Sequence, residues 1–124
     1  MEKGLLLING ESIPTLLALS SEEQQKGLMH QQWPPPTMSF CFKESACRPF
    51  WMANTPSPLD IVFAKDNKIV GILPGEPNST RMIGGEFVSD FVAEFPRGTC
   101  EAQQIKPGDE IFCFPLSEKR GRVY

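Results

Sequence analysis

Glu86-Phe87-Val88-Ser89-Asp90-Phe91-Val92-Ala93-Glu94-Phe95 is the stretch on which the fold turns. Phe87, Phe91, Ala93 and Phe95 share one side, with Ser89 the exception, and Val88, Asp90, Val92 and Glu94 share the other. A period of two marks a strand, because successive side chains leave a pleated backbone in opposite directions. Pro96-Arg97-Gly98 ends it. Asp90 and Glu94 stand about 13 Å apart along such a strand, too far to touch, and read as a solvated acidic face.

The same grammar repeats outward. Downstream, Pro107-Gly108-Asp109 turns the chain into a strand at Glu110–Leu116. Upstream, Asp66-Asn67 joins Leu59–Ala64 to Ile69-Val70 as a hairpin, with Leu59, Ile61 and Phe63 on one face and Asp60 and Val62 on the other. Pro74–Arg81 reads as a turn-rich loop, and Phe50–Asn54 as a short strand joined to the hairpin by Thr55-Pro56-Ser57-Pro58. Met38, Phe40 and Phe42 alternate with polar or small neighbours as another strand, and Lys43–Pro49 follows as a surface loop. Pro34-Pro35-Pro36 excludes helix ahead of it.

Ser20–Met29 carries the one helical signal: Ser20 with Glu23 is a capping box, and Gly27 suits a stop. At the N-terminus, Asn9-Gly10 between Gly4–Ile8 and Ile13–Leu19 is a hairpin turn, since both residues tolerate positive φ. Short strands with turns every eight to twelve residues predict a mainly β fold, a small barrel or sandwich with one short helix. The 124 residues form a single domain on this reading, ending in a short tail at 117–124.

Composition narrows the function classes. Twelve basic and fifteen acidic residues give a net charge of −3 with no run of either sign, whereas nucleic acid binding draws on a basic stripe. The one basic cluster, Lys119, Arg120 and Arg122, reads as a solvated end. Leu5–Ile8 is too short for a signal-peptide core or a membrane span, so a complete chain would be cytoplasmic and free of membrane. Cys41, Cys47, Cys100 and Cys113 form no Cys-x-x-Cys pair and His30 is the single histidine, so no metal site is expected. Cys41 and Cys113 fall inside apolar strand patterns and read as packed thiols, while bridges at Cys47 or Cys100 stay open. Gly84-Gly85 lacks the strand–loop–helix setting of a phosphate cradle, and no cofactor is expected.

Lys26-Gly27-Leu28-Met29, Phe50-Trp51-Met52-Ala53-Asn54-Thr55, Pro58-Leu59-Asp60-Ile61-Val62-Phe63, Ala93-Glu94-Phe95-Pro96-Arg97-Gly98 and Ile105-Lys106-Pro107-Gly108-Asp109 stand in order along the chain. From about Leu19 to Ile111 this series resembles the uncharacterised family called domain of unknown function 192. The resemblance implies a compact, mostly β domain, supplies no chemistry, and brings the observation that many relatives are exported. His30 and Thr37-Met38-Ser39-Phe40 depart from the family pattern, which has an Arg near the first and a Gly-Met-Leu-Phe-like run at the second.

Trp51, Asn54, Thr55 and Asp60 are the candidate ligand-binding residues, because they flank the stiff turn at Pro56 and Pro58. Asn54 and Asp60 could orient a ligand amide or hydroxyl, or could accept backbone N–H bonds and hold the turn shut. Trp51 shares its side of the segment with Ala53 and Thr55, and serves either as a ligand platform or as core. His30 has no identifiable acidic or nucleophilic partner and reads as a surface residue capping the helix. With no nucleophile–base pair, metal cluster or cofactor loop, the expectation is a non-catalytic module binding a small molecule or a protein. The alternative is a small hydrolase of polar or glycan-like substrates, with Asp60 as acid/base, Asn54 as orienter and Glu94 or Glu101 as second acid.

Overall fold

A computed structural model describes residues 1–116. The chain forms β1 (Glu2–Ile8), β2 (Glu11–Ala18), α1 (Ser21–Lys26), β3 (Met38–Cys47), β4 (Leu59–Lys65), β5 (Lys68–Gly75), β6 (Val88–Pro96), α2 (Thr99–Ala102) and β7 (Ile111–Pro115). The seven strands make one sheet in the order β5-β4-β6-β3-β2-β1-β7. All pairs are antiparallel except β2 with β3, whose parallel pairing needs the crossover that α1 supplies. The fold is mainly β, as the sequence indicates, with a second helical turn at α2 beside the expected one.

Turn chemistry acts where it is written. Asn9 and Gly10 both take positive φ (53° and 78°) and close the β1–β2 hairpin, and Asp66 and Asn67 (51° and 63°) close β4–β5. Ser20 accepts from the Glu23 backbone N–H while the Glu23 carboxylate accepts from the Ser20 N–H, completing the capping box of α1.

The sheet curls until its edges meet. Lys68 and Glu110 form a lone bridge between them, flanked by bonds from the Ile69 N–H to the Asp109 carbonyl (2.9 Å) and from the Gly108 N–H to the Ile69 carbonyl (2.8 Å). No ladder runs between β5 and β7, so the sheet stays open rather than closing into a barrel. Its inner face gathers Leu6, Ile8, Leu17, Val62, Ala64, Phe91, Ala93, Phe95, Ile111 and Cys113 from both ends of the strand order.

A second core lies on the opposite face of β3, β4 and β6. Leu28, Met38, Phe40, Met52, Leu59, Ile61, Phe63 and Val92 pack there, under the segment after α1 and the segment around residues 48–55. β4 is therefore buried on both faces, which is why Leu59–Ala64 reads as a nearly unbroken apolar run.

Three local expectations change. Lys43–Cys47 continues β3 across a register shift instead of forming a loop. Phe50–Asn54 is not a strand: Phe50 makes one bridge with Ile83, and the chain turns at Asn54, whose φ is 56°. Glu94 does not lie on a solvated face; it is 4% exposed, because the second core covers that side of β6. Residues 117–124, including Lys119, Arg120 and Arg122, lie outside the described residues.

Candidate functional site

β6 is a central strand, and in its register Glu94 lies between Met38 of β3 and Ile61 of β4. Both neighbours are apolar and buried, so the sheet offers this carboxyl no donor. Among the described residues it has no hydrogen bond or ion pair. Burial alone pushes its pKa up to about 8, because removing water penalises the charged form.

Glu94 lines a cleft of about 310 Å³ on the second-core side. Phe40 and Phe42 of β3 line it too, with Phe50, Trp51 and Thr55 from the segment after β3 and Gly27 to Met29 from the end of α1. The wall is held by an aromatic series. Phe50 meets Phe40 edge-on at 5.2 Å between centroids and Phe63 edge-on at 5.9 Å, and Phe63 tilts against Phe87 at 5.3 Å. With Phe50 fixed, its neighbour Trp51 is turned outward, 47% exposed at the cleft.

Gly27 ends α1 beside Glu94 and is required there by its backbone conformation. It has φ 52°, a region that disfavours other residues, and a Cβ there would stand 3.7 Å from the Glu94 Oε1 and 3.6 Å from Phe40. At the rim, the Arg48 guanidinium lies 4.1 Å over the Phe42 ring and donates to the Ser89 carbonyl. Arg48 and Lys26 supply positive charge around the cleft, and among the described residues Glu94 is its one carboxyl.

The four sequence candidates separate. Trp51 and Thr55 line this cleft, although the Thr55 hydroxyl is already used on the Ala53 carbonyl at 3.1 Å. Asn54 is exposed in a left-handed turn, and its carbonyl accepts from the His30 N–H at 2.8 Å. Asp60 is elsewhere. Its Oδ2 accepts from the Gly98 N–H (3.0 Å) and the Cys100 N–H (3.1 Å), and its Oδ1 lies 3.6 Å from the Arg97 Nε. Arg97 in turn donates to the Leu59 and Gly75 carbonyls, so this cluster ties the β6–α2 corner to β4 and β5.

Phe42 and Phe50 are not singled out as site residues by the sequence, and Glu94 enters there only as a second acid for Asp60. Glu94 shares its face with Asp90 and Val92 and alternates with Ala93 and Phe95 like any strand acid, and only the central position of β6 separates it from a surface residue. Among the described residues no group of three or more His, Cys, Asp or Glu side chains is placed to hold a metal ion. No helix among them is long and apolar enough to cross a membrane.

A curled mainly β sheet with an aromatic-lined cleft that buries one carboxyl is the class of protein these observations define. The chain belongs to the domain of unknown function 192 family, described as Uncharacterized ACR, whose profile matches residues 5–113. It is similar to a crystal structure from Sinorhizobium meliloti 1021 described as a candidate transcription regulator. That match has 30% identity and a TM-score of 0.77, and covers 89% of this chain and 91% of the other. It is also similar to a protein of unknown function from Novosphingobium aromaticivorans DSM 12444, at 28% identity and a TM-score of 0.75, covering 88% and 82%. No curated protein matches the chain.

Proposed function

We propose that this chain is a non-catalytic binding domain whose cleft takes a small molecule bearing a protonated amine on an apolar or ring-shaped body. The observation that carries this reading is the Glu94 carboxyl, buried and without a described partner, lining the cleft beside Phe40, Phe42, Phe50 and Trp51. A buried carboxyl costs free energy when charged, and a cation brought to it offsets part of that cost. The aromatic faces favour the same ligand, since ring quadrupoles attract ammonium groups.

Binding rather than hydrolysis is supported by the absence of a second carboxylate in the cleft among the described residues. Asp60 is engaged by Gly98 and Cys100 on the other face of the sheet, so the hydrolase alternative has no acid pair here. The Sinorhizobium relative is described as a candidate transcription regulator, but a net charge of −3 in this chain favours a small molecule over a phosphate backbone.

Thermal-shift titrations at pH 7 with phenethylamine, cyclohexylamine and hexylamine, against their alcohol counterparts, test this. The amines are expected to raise the melting temperature in a dose-dependent way, and Glu94→Gln to abolish the response. Equal responses to amines and alcohols, or an undiminished response in Glu94→Gln, would contradict it.

A further inference from the structure

A second cavity, of about 150 Å³, opens on Cys41 of β3 and Cys113 of β7, between Phe42, Asn67, Asp90, Phe91 and Ile111, with the Asp90 carboxylate helping to keep Cys41 protonated. These strands are not neighbours; β2 and β1 lie between them in the sheet. The curl brings the two thiols to one cavity across the inner face, where each perturbs the other's ionisation. The Ser39 hydroxyl lies beside Cys113 and favours its thiolate, and the Ser39 Oγ lies 2.8 Å from the Thr15 Oγ1.

Thr15 and Ser39 are buried, so a short polar chain runs through an otherwise apolar region and ends on Cys113. The neighbouring Cys41 thiol and Ser39 hydroxyl favour the Cys113 thiolate against its burial and hold it below the ordinary thiol range. Sharing its proton with Cys113, together with burial, pushes Cys41 well above that range. The pair is thus asymmetric, one sulfur poised to attack and the other to keep its proton.

We propose that Cys41 and Cys113 form a dithiol–disulfide redox pair that is oxidised by small peroxides entering this cavity. The Cys113 thiolate attacks hydrogen peroxide, the O–O bond breaks, and a sulfenic acid forms with hydroxide released and protonated to water. The Cys41 sulfur then displaces the hydroxyl from the sulfenic sulfur, and its proton leaves with that hydroxyl as a second water. Two thiols and one peroxide become one disulfide and two waters, the pair losing two electrons. Cys100 is set apart, because burial and the neighbouring Asp60 carboxylate push its thiol up to about 12.

The reduced protein is treated with hydrogen peroxide, alkylated under denaturing conditions, and mapped by non-reducing peptide mass spectrometry. A Cys41–Cys113 cross-linked peptide that dithiothreitol reverses is expected, with Cys113 consumed roughly tenfold faster than Cys100. Complete alkylation of both Cys41 and Cys113 after treatment, or a bridge joining either to Cys47 instead, would overturn the proposal. In Cys41→Ser the resolving thiol is gone, so Cys113 should carry a sulfenic acid that dimedone traps; a folded variant without that adduct would overturn it too.

Discussion

In the β4–β6 register Asp60 lies opposite Phe95 and Glu94 lies opposite Ile61, so the two carboxyl groups leave the sheet from opposite faces. One sits at the β6–α2 corner among backbone donors, and the other sits in a cleft with none. Two acids that a linear reading could pair are kept apart by the pleat.

Asp60 acts as a fastener on this geometry. Asp60→Ala leaves the Gly98 and Cys100 N–H groups without their acceptor and should cost about 2–3 kcal/mol. Asp60→Asn keeps one carbonyl acceptor and should cost less. Urea unfolding checks both, and amine binding by the folded variants should be unchanged.

Glu94 should make the protein less stable as pH rises. Its pKa is raised from 4.5 to about 8, so between those values the native state binds more protons than the unfolded chain. Stability is fully present below the unfolded value and is lost as pH climbs through that window. Glu94→Gln has no charge to bury. It should match the wild type near pH 4.5 and exceed it by about 3 kcal/mol at pH 7, on the order of 1.4 kcal/mol per pH unit. Parallel pH–stability profiles for the two proteins would contradict this.

Gly84 holds the approach of the 79–87 loop to the second core. It has φ 86°, and a Cβ there would stand 2.1 Å from the Phe63 ring. Gly84→Ala should therefore cost about 3 kcal/mol or more, from strain and overpacking together. Thermal unfolding measures it, and a shift within a degree of the wild type would be inconsistent with the packing.

Trp51 separates binding from folding. It is 47% exposed, so Trp51→Ala should change stability by less than about 1 kcal/mol. Loss of its ring from the cleft should weaken binding of an aromatic amine roughly tenfold. Calorimetric titration of wild type and variant reads both effects.

The sequence is most explicit where local chemistry is decisive. Asn9-Gly10, Asp66-Asn67 and the Ser20–Glu23 box need only neighbouring residues, and each forms as its pattern indicates. The Leu59–Phe63 alternation likewise predicts the two faces of β4. The site was only half legible. Trp51 and Thr55 stand in the signature segment, but Glu94 becomes a cleft residue only because β6 is flanked by β3 and β4 and covered by a second core. Strand order is a property of the whole chain, and no window around Asp90–Glu94 contains it. The curl that joins Cys41 to Cys113 is hidden for the same reason, since the two residues lie on strands that do not pair.

The most direct measurement is a pH titration of the Glu94 side-chain carboxyl by ¹³C NMR, with Glu94→Gln assigning the signal, first without and then with phenethylamine. A midpoint near 8 in the free protein, falling below 7 when the amine is added, is the predicted result. A midpoint near the ordinary 4.5 that the amine leaves unmoved would contradict a buried acid waiting for a cation.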